Sequence, residues 1–230
     1  FLLIGAAKSG TTAVYRYLQQ RPQVFLSEPK EPRFFAFENH PLNFAGLRDE
    51  SWKREFYTDR DLYLLLFDAA SARPALGEAS VMYLSEPGTA ERAYSNFVDM
   101  RAEEQRRLEN RISWFFYQGC GMYGAQLQPY YSLFDRSKIR FWQSEDLTRD
   151  PSRLIREMFA FLGVDDSFQP DVSQKHNVAR IPARPRLNWL AAPKPEFPPD
   201  VRHRLREEFR DDLRLAEELI GRDLSSRWKV

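Results

Sequence analysis

The run FLLIGAAKSGTTAVYRYL at residues 1–18 constrains the fold more than any other stretch. Four apolar residues run into Gly5, a short loop of small residues follows, and Val14, Tyr15 and Leu18 then share one face of a helical segment. A buried strand feeding a helix through such a loop is a building unit of a parallel α/β sheet. The loop also predicts an anion site. Backbone N–H groups from Ser9 to Thr12 would converge there, and the helix dipole adds about half a positive charge. Lys8 supplies a full charge; Thr11 and Thr12 supply hydroxyls and are expected to cap the helix. The G-x-x-x-x-G spacing of Gly5 and Gly10 is that of the triphosphate loop, yet Thr11 stands where that loop carries its lysine. An earlier lysine suits an ammonium placed over a bridging oxygen, where it stabilises a departing phosphate.

The rest of the chain repeats the alternation. VFLS (24–27), PALGEAS (74–80) and KIRFW (138–142) read as further strands. DLYLLLFDAA (61–70) reads as a buried helix, with a strand as second choice. Helices are expected over 91–112, 123–134, 151–162 and from about Asp200 to Ile220. The clearest is RDPSRLIREMFAFLG, with Asp150 as N-cap, Pro151 at the first helical position and Gly163 ending it. Residues 170–199 read as a long surface loop. The expectation is one α/β domain over 1–230, with a mainly parallel central sheet flanked by helices on both faces. Ligands of such sheets bind at the carboxyl ends of the strands.

Composition narrows the function. The formal net charge is +1, so no basic field for nucleic acid is present and an anion must be held locally. One cysteine, Cys120, excludes an internal disulfide framework and fits a reduced, cytoplasmic compartment. His40, His176 and His203 lie far apart, so no metal is expected. No apolar run approaches the roughly 18–20 residues of a membrane span. The first residue is Phe1, which leaves room for an upstream leader.

Two carboxylates compete for a chemical role. Glu31, in SEPKEPRFFAF, is hemmed by Lys30, Pro32, Arg33 and the pair Phe34–Phe35. A proline-stiffened turn can hold it at a fixed point and partly desolvate it, the conditions for a general base, although from this stretch alone a solvated turn glutamate explains it more simply. Asp68, ending LLLFD, imitates the magnesium ligand of a triphosphate enzyme, although a helix-surface carboxylate explains it more simply.

KSGTT, KEPRFFAF, GEASVMYL, ERAYSNF and SEDLTRDPSRLIREMFAFLGV occur in this order. Together they resemble the sulfotransferases that use 3′-phosphoadenosine 5′-phosphosulfate (PAPS), nearest to the heparan-sulfate-type and related bacterial enzymes. The resemblance covers nearly the whole chain and implies a P-loop-like architecture with PAPS as donor, its bisphosphate PAP as product, and no metal. It places Lys8, Ser9, Gly10, Thr11 and Thr12 on the donor's 5′-phosphosulfate and makes Glu31 the base. Ser95, Asn177 and Arg180 would bind the 3′-phosphate. Arg33, where relatives have histidine, Phe34 and Tyr123 would border acceptor or donor. Two departures stand out. Ala79 replaces a lysine of some relatives. Pro87 occupies the position of the arginine that partners Ser95, and no apolar run precedes it. About twenty residues are therefore expected to be missing between Tyr83 and Glu91, since losing a central strand would expose the core beside it.

The reading is sulfuryl transfer from PAPS to a hydroxyl, with an amine as second choice. The acceptor is a small molecule, a carbohydrate or a carrier-bound group; oligomeric state is not legible. The alternatives are a small-molecule kinase using magnesium-ATP and a non-catalytic anion-binding protein.

Overall fold

The computed structural model describes residues 1–42, 53–70, 73–86, 88–98, 121–174, 176 and 199–225, with the side chains of 94–98 and 199–202 outside the description. Three parallel strands, β1 (Leu2–Leu3), β2 (Val24–Leu26) and β3 (Ala75–Ala79), lie in the order β1-β3-β2. Leu2 pairs with Glu78 and Leu3 with Ala79; across β3, Val24, Phe25 and Leu26 pair with Ala75, Leu76 and Gly77. The central position of β3 explains why four of its five residues are buried.

Parallel strands need crossovers, and helices supply them. α1 (Thr11–Gln19) joins β1 to β2, and α2 (Phe34–Phe37) and α3 (Arg60–Leu65) lie between β2 and β3. After β3 come α4 (Met82–Ser85), α5 (Thr89–Val98), α6 (Tyr123–Leu133), α7 (Ser144–Arg149), α8 (Pro151–Phe161) and α9 (Pro199–Ile220).

Side chains alternate across a strand, and β1 sorts its neighbours accordingly. Leu3 joins a core made by Val14 and Leu18 of α1, Val24 and Leu26 of β2, and Leu154, Ile155 and Phe159 of α8. Leu2 and Ile4 join the opposite core, built from Phe34, Phe35, Tyr63, Met82, Tyr83 and Ala93. The sheet is covered on both faces, as expected. Ile155 and Phe159 have no exposed surface; full burial of such a side chain contributes roughly 1.5–3 kcal/mol.

Local chemistry sets the helix ends. The Asp150 side chain accepts the Arg153 N–H at 2.9 Å, Pro151 opens α8, and Gly163 takes φ 69° just beyond it. α6 is capped from another helix: Asp212 of α9 accepts the N–H groups of Gly124 (2.9 Å) and Ala125 (2.7 Å). A Cβ on Gly124 would lie 2.3 Å from the Asp212 carbonyl oxygen, so the two helices approach this closely only at glycine.

Three expectations change. KIRFW at 138–142 forms no strand: residues 136–138 make a 3₁₀ turn, Ile139 is extended, and no described strand pairs with it. A strand without a neighbour has no ladder to stabilise it. The leucine-rich helix is α3, but only Tyr63 is buried; Leu62, Leu64 and Leu65 are 56%, 50% and 59% exposed. Thr11 and Thr12 do not cap α1. Gly10 is the N-cap, at φ 94°, and Thr11 becomes the first helical residue. The helix expected over 91–112 is described as far as Val98, and most of the 170–199 loop lies outside the described residues.

Candidate active site

Two loops meet at the carboxyl end of β3. β1 ends at Leu3, beside Ala79, and leads into the loop 4–10. Beyond β2, Ser27 donates its N–H to the Gly77 carbonyl at 3.0 Å. The next turn comes back to β3, where the Glu31 N–H donates to the Ala79 carbonyl at 3.0 Å. The Lys8 loop and the Glu31 turn therefore flank the same strand end.

The first loop is built to leave donors bare. A Cβ on Gly5 would lie 3.2 Å from Val81 O and Leu84 Cβ, so the loop rests against the turn after β3. Ser9 folds back, its Oγ donating to Ala6 O at 2.6 Å. Gly10 excludes a side chain twice over, by its φ of 94° and by Leu147 Cδ2, which would be 2.4 Å from a Cβ. Ala13 and Val14 donate to Gly10 O at 2.9 and 3.1 Å, whereas the N–H groups of Thr11 and Thr12 have no acceptor among the described hydrogen bonds. Lys8 is exposed beside them, at φ 64°. Bare N–H groups, a helix dipole and an ammonium make a cradle for an anion.

The second loop holds a carboxylate under strain. Glu31 and Arg33 have φ of 67° and 60°. Left-handed non-glycine residues cost roughly 1–3 kcal/mol each and persist only where their surroundings fix them. Lys30 Nζ donates to Glu31 Oε1 at 2.5 Å, and an Arg33 guanidinium nitrogen donates to Oε2 at 3.1 Å. Arg33 is 4% exposed, lies over the Phe56 ring at 4.8 Å, and donates its backbone N–H to Ser80 Oγ at 3.1 Å. Phe34, 1% exposed, stacks on Tyr63 at 4.2 Å. Arg33 and Phe34 thus support the turn from within, and their burial leaves little surface for an acceptor.

The other expected residues are described only in part. Tyr123 opens α6 and packs against Leu213, Ala216 and Leu224. Ser95 is on α5 with its side chain outside the description, and Asn177 and Arg180 lie outside the described residues. Asp68 starts a 3₁₀ turn that follows α3, so it does not end a strand as a magnesium ligand of a triphosphate enzyme would. Among the described residues no group of three His, Cys, Asp or Glu gathers to hold a metal, and no helix is long and apolar enough to cross a membrane.

Sequence reasoning missed the layer beneath the turn. Arg92 donates to Phe35 O (2.5 Å) and Ala36 O (2.9 Å), pinning α2. Glu78, fully buried on β3, accepts from Ser80, Tyr83 and Tyr63. Burial pushes its carboxyl up to about 7 against those hydrogen bonds, which pull it down. The available signal was Glu78, the single charge within GEASVMYL.

Fold and site define an α/β protein with a donor-lined loop and a clamped carboxylate at one end of a parallel sheet. The sulfotransferase domain model matches residues 1–178. The crystal structure of a sulfotransferase from Alicyclobacillus acidocaldarius is similar throughout, with 30% identity, a TM-score of 0.77, and coverage of 100% of this chain and 98% of that one. No curated protein matches. The chain belongs to the sulfotransferase family, and its chemistry is sulfuryl transfer.

Proposed function

We propose that the chain transfers the sulfuryl group of PAPS to an acceptor hydroxyl, or as second choice an amine, with Glu31 as general base and Lys8 stabilising the leaving phosphate. One observation carries this reading: the bare N–H groups and the ammonium of the first loop lie at the same strand end as the clamped Glu31 carboxylate. PAPS supplies an activated sulfur and a phosphate leaving group.

The residues present fit such a donor. Among the described residues Thr11 and Thr12 N–H have no acceptor, and Lys8 is exposed in the same loop. These groups would hold the 5′-phosphate, and Lys8 would balance the charge that grows on its bridging oxygen as the bond from that oxygen to sulfur breaks. Ser9 shapes the loop through its bond to Ala6. Glu31 takes the acceptor proton. Each carboxylate oxygen has two lone pairs, so those bound by Lys30 and Arg33 can still accept an acceptor O–H. The double clamp fixes where that lone pair points, and positioning of this kind supplies much of the rate enhancement.

Ser95, Asn177 and Arg180 are assigned to the 3′-phosphate, and Tyr123 to the donor side, by resemblance alone. The missing arginine at Pro87 belongs with a missing strand. Among the described residues β1 pairs with β3 alone and 139–142 has no ladder; both agree with chain lacking between Tyr83 and Glu91. The acceptor class is a small molecule, a carbohydrate or a carrier-bound hydroxyl. Calorimetry with 3′,5′-adenosine bisphosphate and with magnesium-ATP tests the reading. The bisphosphate should bind and Lys8→Ala should weaken it. Binding of magnesium-ATP in preference to the bisphosphate would overturn it.

A further inference from the structure

Beneath the turn that presents Glu31 lies a carboxylate that the reaction does not use. Glu78 has no exposed surface and pairs in register with Leu2. It accepts three hydroxyl protons: from Ser80 on Oε2 at 2.8 Å, and from Tyr83 (2.5 Å) and Tyr63 (3.1 Å) on Oε1. Two of these hydroxyls also face the catalytic turn. Ser80 Oγ accepts the Arg33 N–H at 3.1 Å, and the Tyr83 hydroxyl accepts the Phe35 N–H at 3.2 Å. A hydroxyl has one proton to give. With that proton committed to Glu78, its lone pairs face the backbone N–H groups just after Glu31.

We propose that Glu78 is a positioning residue for Glu31: through Ser80 and Tyr83 its carboxylate holds the backbone of Arg33 and Phe35, and a proton added to Glu78 loosens the turn. The effect on turnover rests on the reading of Glu31 as base; the effect on the turn does not.

The reason is a count of protons. Ionised Glu78 is acceptor only and satisfies three donors. Protonated, it must donate once, and the hydroxyl that receives this proton has to swing its own hydrogen away. At Ser80 or Tyr83 that hydrogen meets the N–H of Arg33 or Phe35. If Tyr63 receives it instead, Oε1 still loses its charge, and hydrogen bonds to an ionised acceptor are about twice as strong as neutral ones. Every placement of the proton weakens the support of the turn.

The titratable and charged neighbours come from each element packed around Glu78. Tyr63 of α3 and Tyr83 of α4 are pushed up by burial and stay protonated. Glu38 acts on Tyr63, and Arg60 lines a cavity of about 220 Å³ together with Glu78. Burial outweighs the downward pulls and puts the Glu78 transition at about 7.

Amide NMR of the full chain across neutral pH tests the proposal. The Arg33 and Phe35 resonances should titrate together with a midpoint near pH 7. The step should survive Glu31→Gln and vanish in Glu78→Gln. Ser80→Ala should remove it at Arg33 and leave it at Phe35, which keeps the question decidable if Glu78→Gln does not fold. No step in the wild type, or a step that persists in Glu78→Gln, overturns the proposal. In sulfuryl-transfer assays Glu78→Gln should lower kcat about tenfold while the donor KM stays within about twofold. A rise in KM matching the fall in kcat would mean a merely structural role. Should the wild type transfer no sulfuryl group at all, the Glu31 reading fails, and the amide titration still decides the role of Glu78.

Discussion

Lys8, Glu31 and Arg33 all adopt left-handed backbone angles without being glycine, at 64°, 67° and 60°. Three such residues at one end of a sheet mark where the fold sustains local strain, and their side chains are the ammonium, the carboxylate and the guanidinium of the proposed chemistry. Glu31→Gln keeps the shape of the turn but removes the base. It should lower turnover about 10²–10⁴-fold and leave bisphosphate affinity within about twofold; a large loss of affinity in calorimetry would contradict the role. Lys8→Ala removes charge opposite the leaving phosphate and should cost about 3 kcal/mol of transition-state stabilisation, read as a fall in kcat. Arg33 is different in kind. It is buried and paired with Glu31, so replacing it should misplace the base rather than abolish a contact with the acceptor.

Among the elements, α1 depends on Gly10 for both conformation and space. Gly10→Ala should lower stability by more than about 1 kcal/mol, measured by urea unfolding. Adding Leu147→Ala should recover part of that loss by removing the clash, and the part due to φ should remain. α6 depends on a cap that its own sequence lacks. Asp212→Ala should cost about 1 kcal/mol and lower Tm by about 2–4 °C. These elements also show what a sequence can and cannot disclose. α8 was legible to the residue because Asp150, Pro151 and Gly163 act locally. The cap on α6 was not, because Asp212 is 88 residues from Gly124. KIRFW has strand composition, but a strand is a property of a pair and no partner is described. In α3 a run of leucines suggested burial, yet the helix has only Tyr63 inward and follows no apolar stripe. Of the candidate site, the Lys8 loop was legible from its local chemistry, whereas Glu31 was singled out only through the resemblance. Glu78 was not legible: only the register of β1 on β3 and the folding back of the turn bury it.

For the whole molecule, Glu78 links stability to pH. Its carboxyl is raised from 4.5 to about 7, chiefly by burial. Between those values the folded chain holds a proton that the unfolded chain has released, so stability from this group is full below 4.5 and is lost as pH rises through 7. Urea midpoints of the wild type, taken relative to Glu78→Gln, should therefore fall from about pH 5 to about pH 8. Asp135, Asp165 and Asp171 are pulled down by hydrogen bonds from nearby serines and act in the opposite sense. Their contribution is present above the ordinary carboxylate range and is lost as pH falls through their folded values. Because the sheet is covered on both faces, its carboxyl end is where loops are free to carry chemistry, and both candidate groups are there. The most direct test is a crystal structure with 3′,5′-adenosine bisphosphate bound. The account predicts the 5′-phosphate within about 3 Å of Lys8 Nζ and the Thr11 and Thr12 N–H groups, with the Glu31 carboxylate facing it across a gap for the acceptor. A nucleotide bound elsewhere, or Lys8 and Glu31 opening into separate clefts, would contradict it.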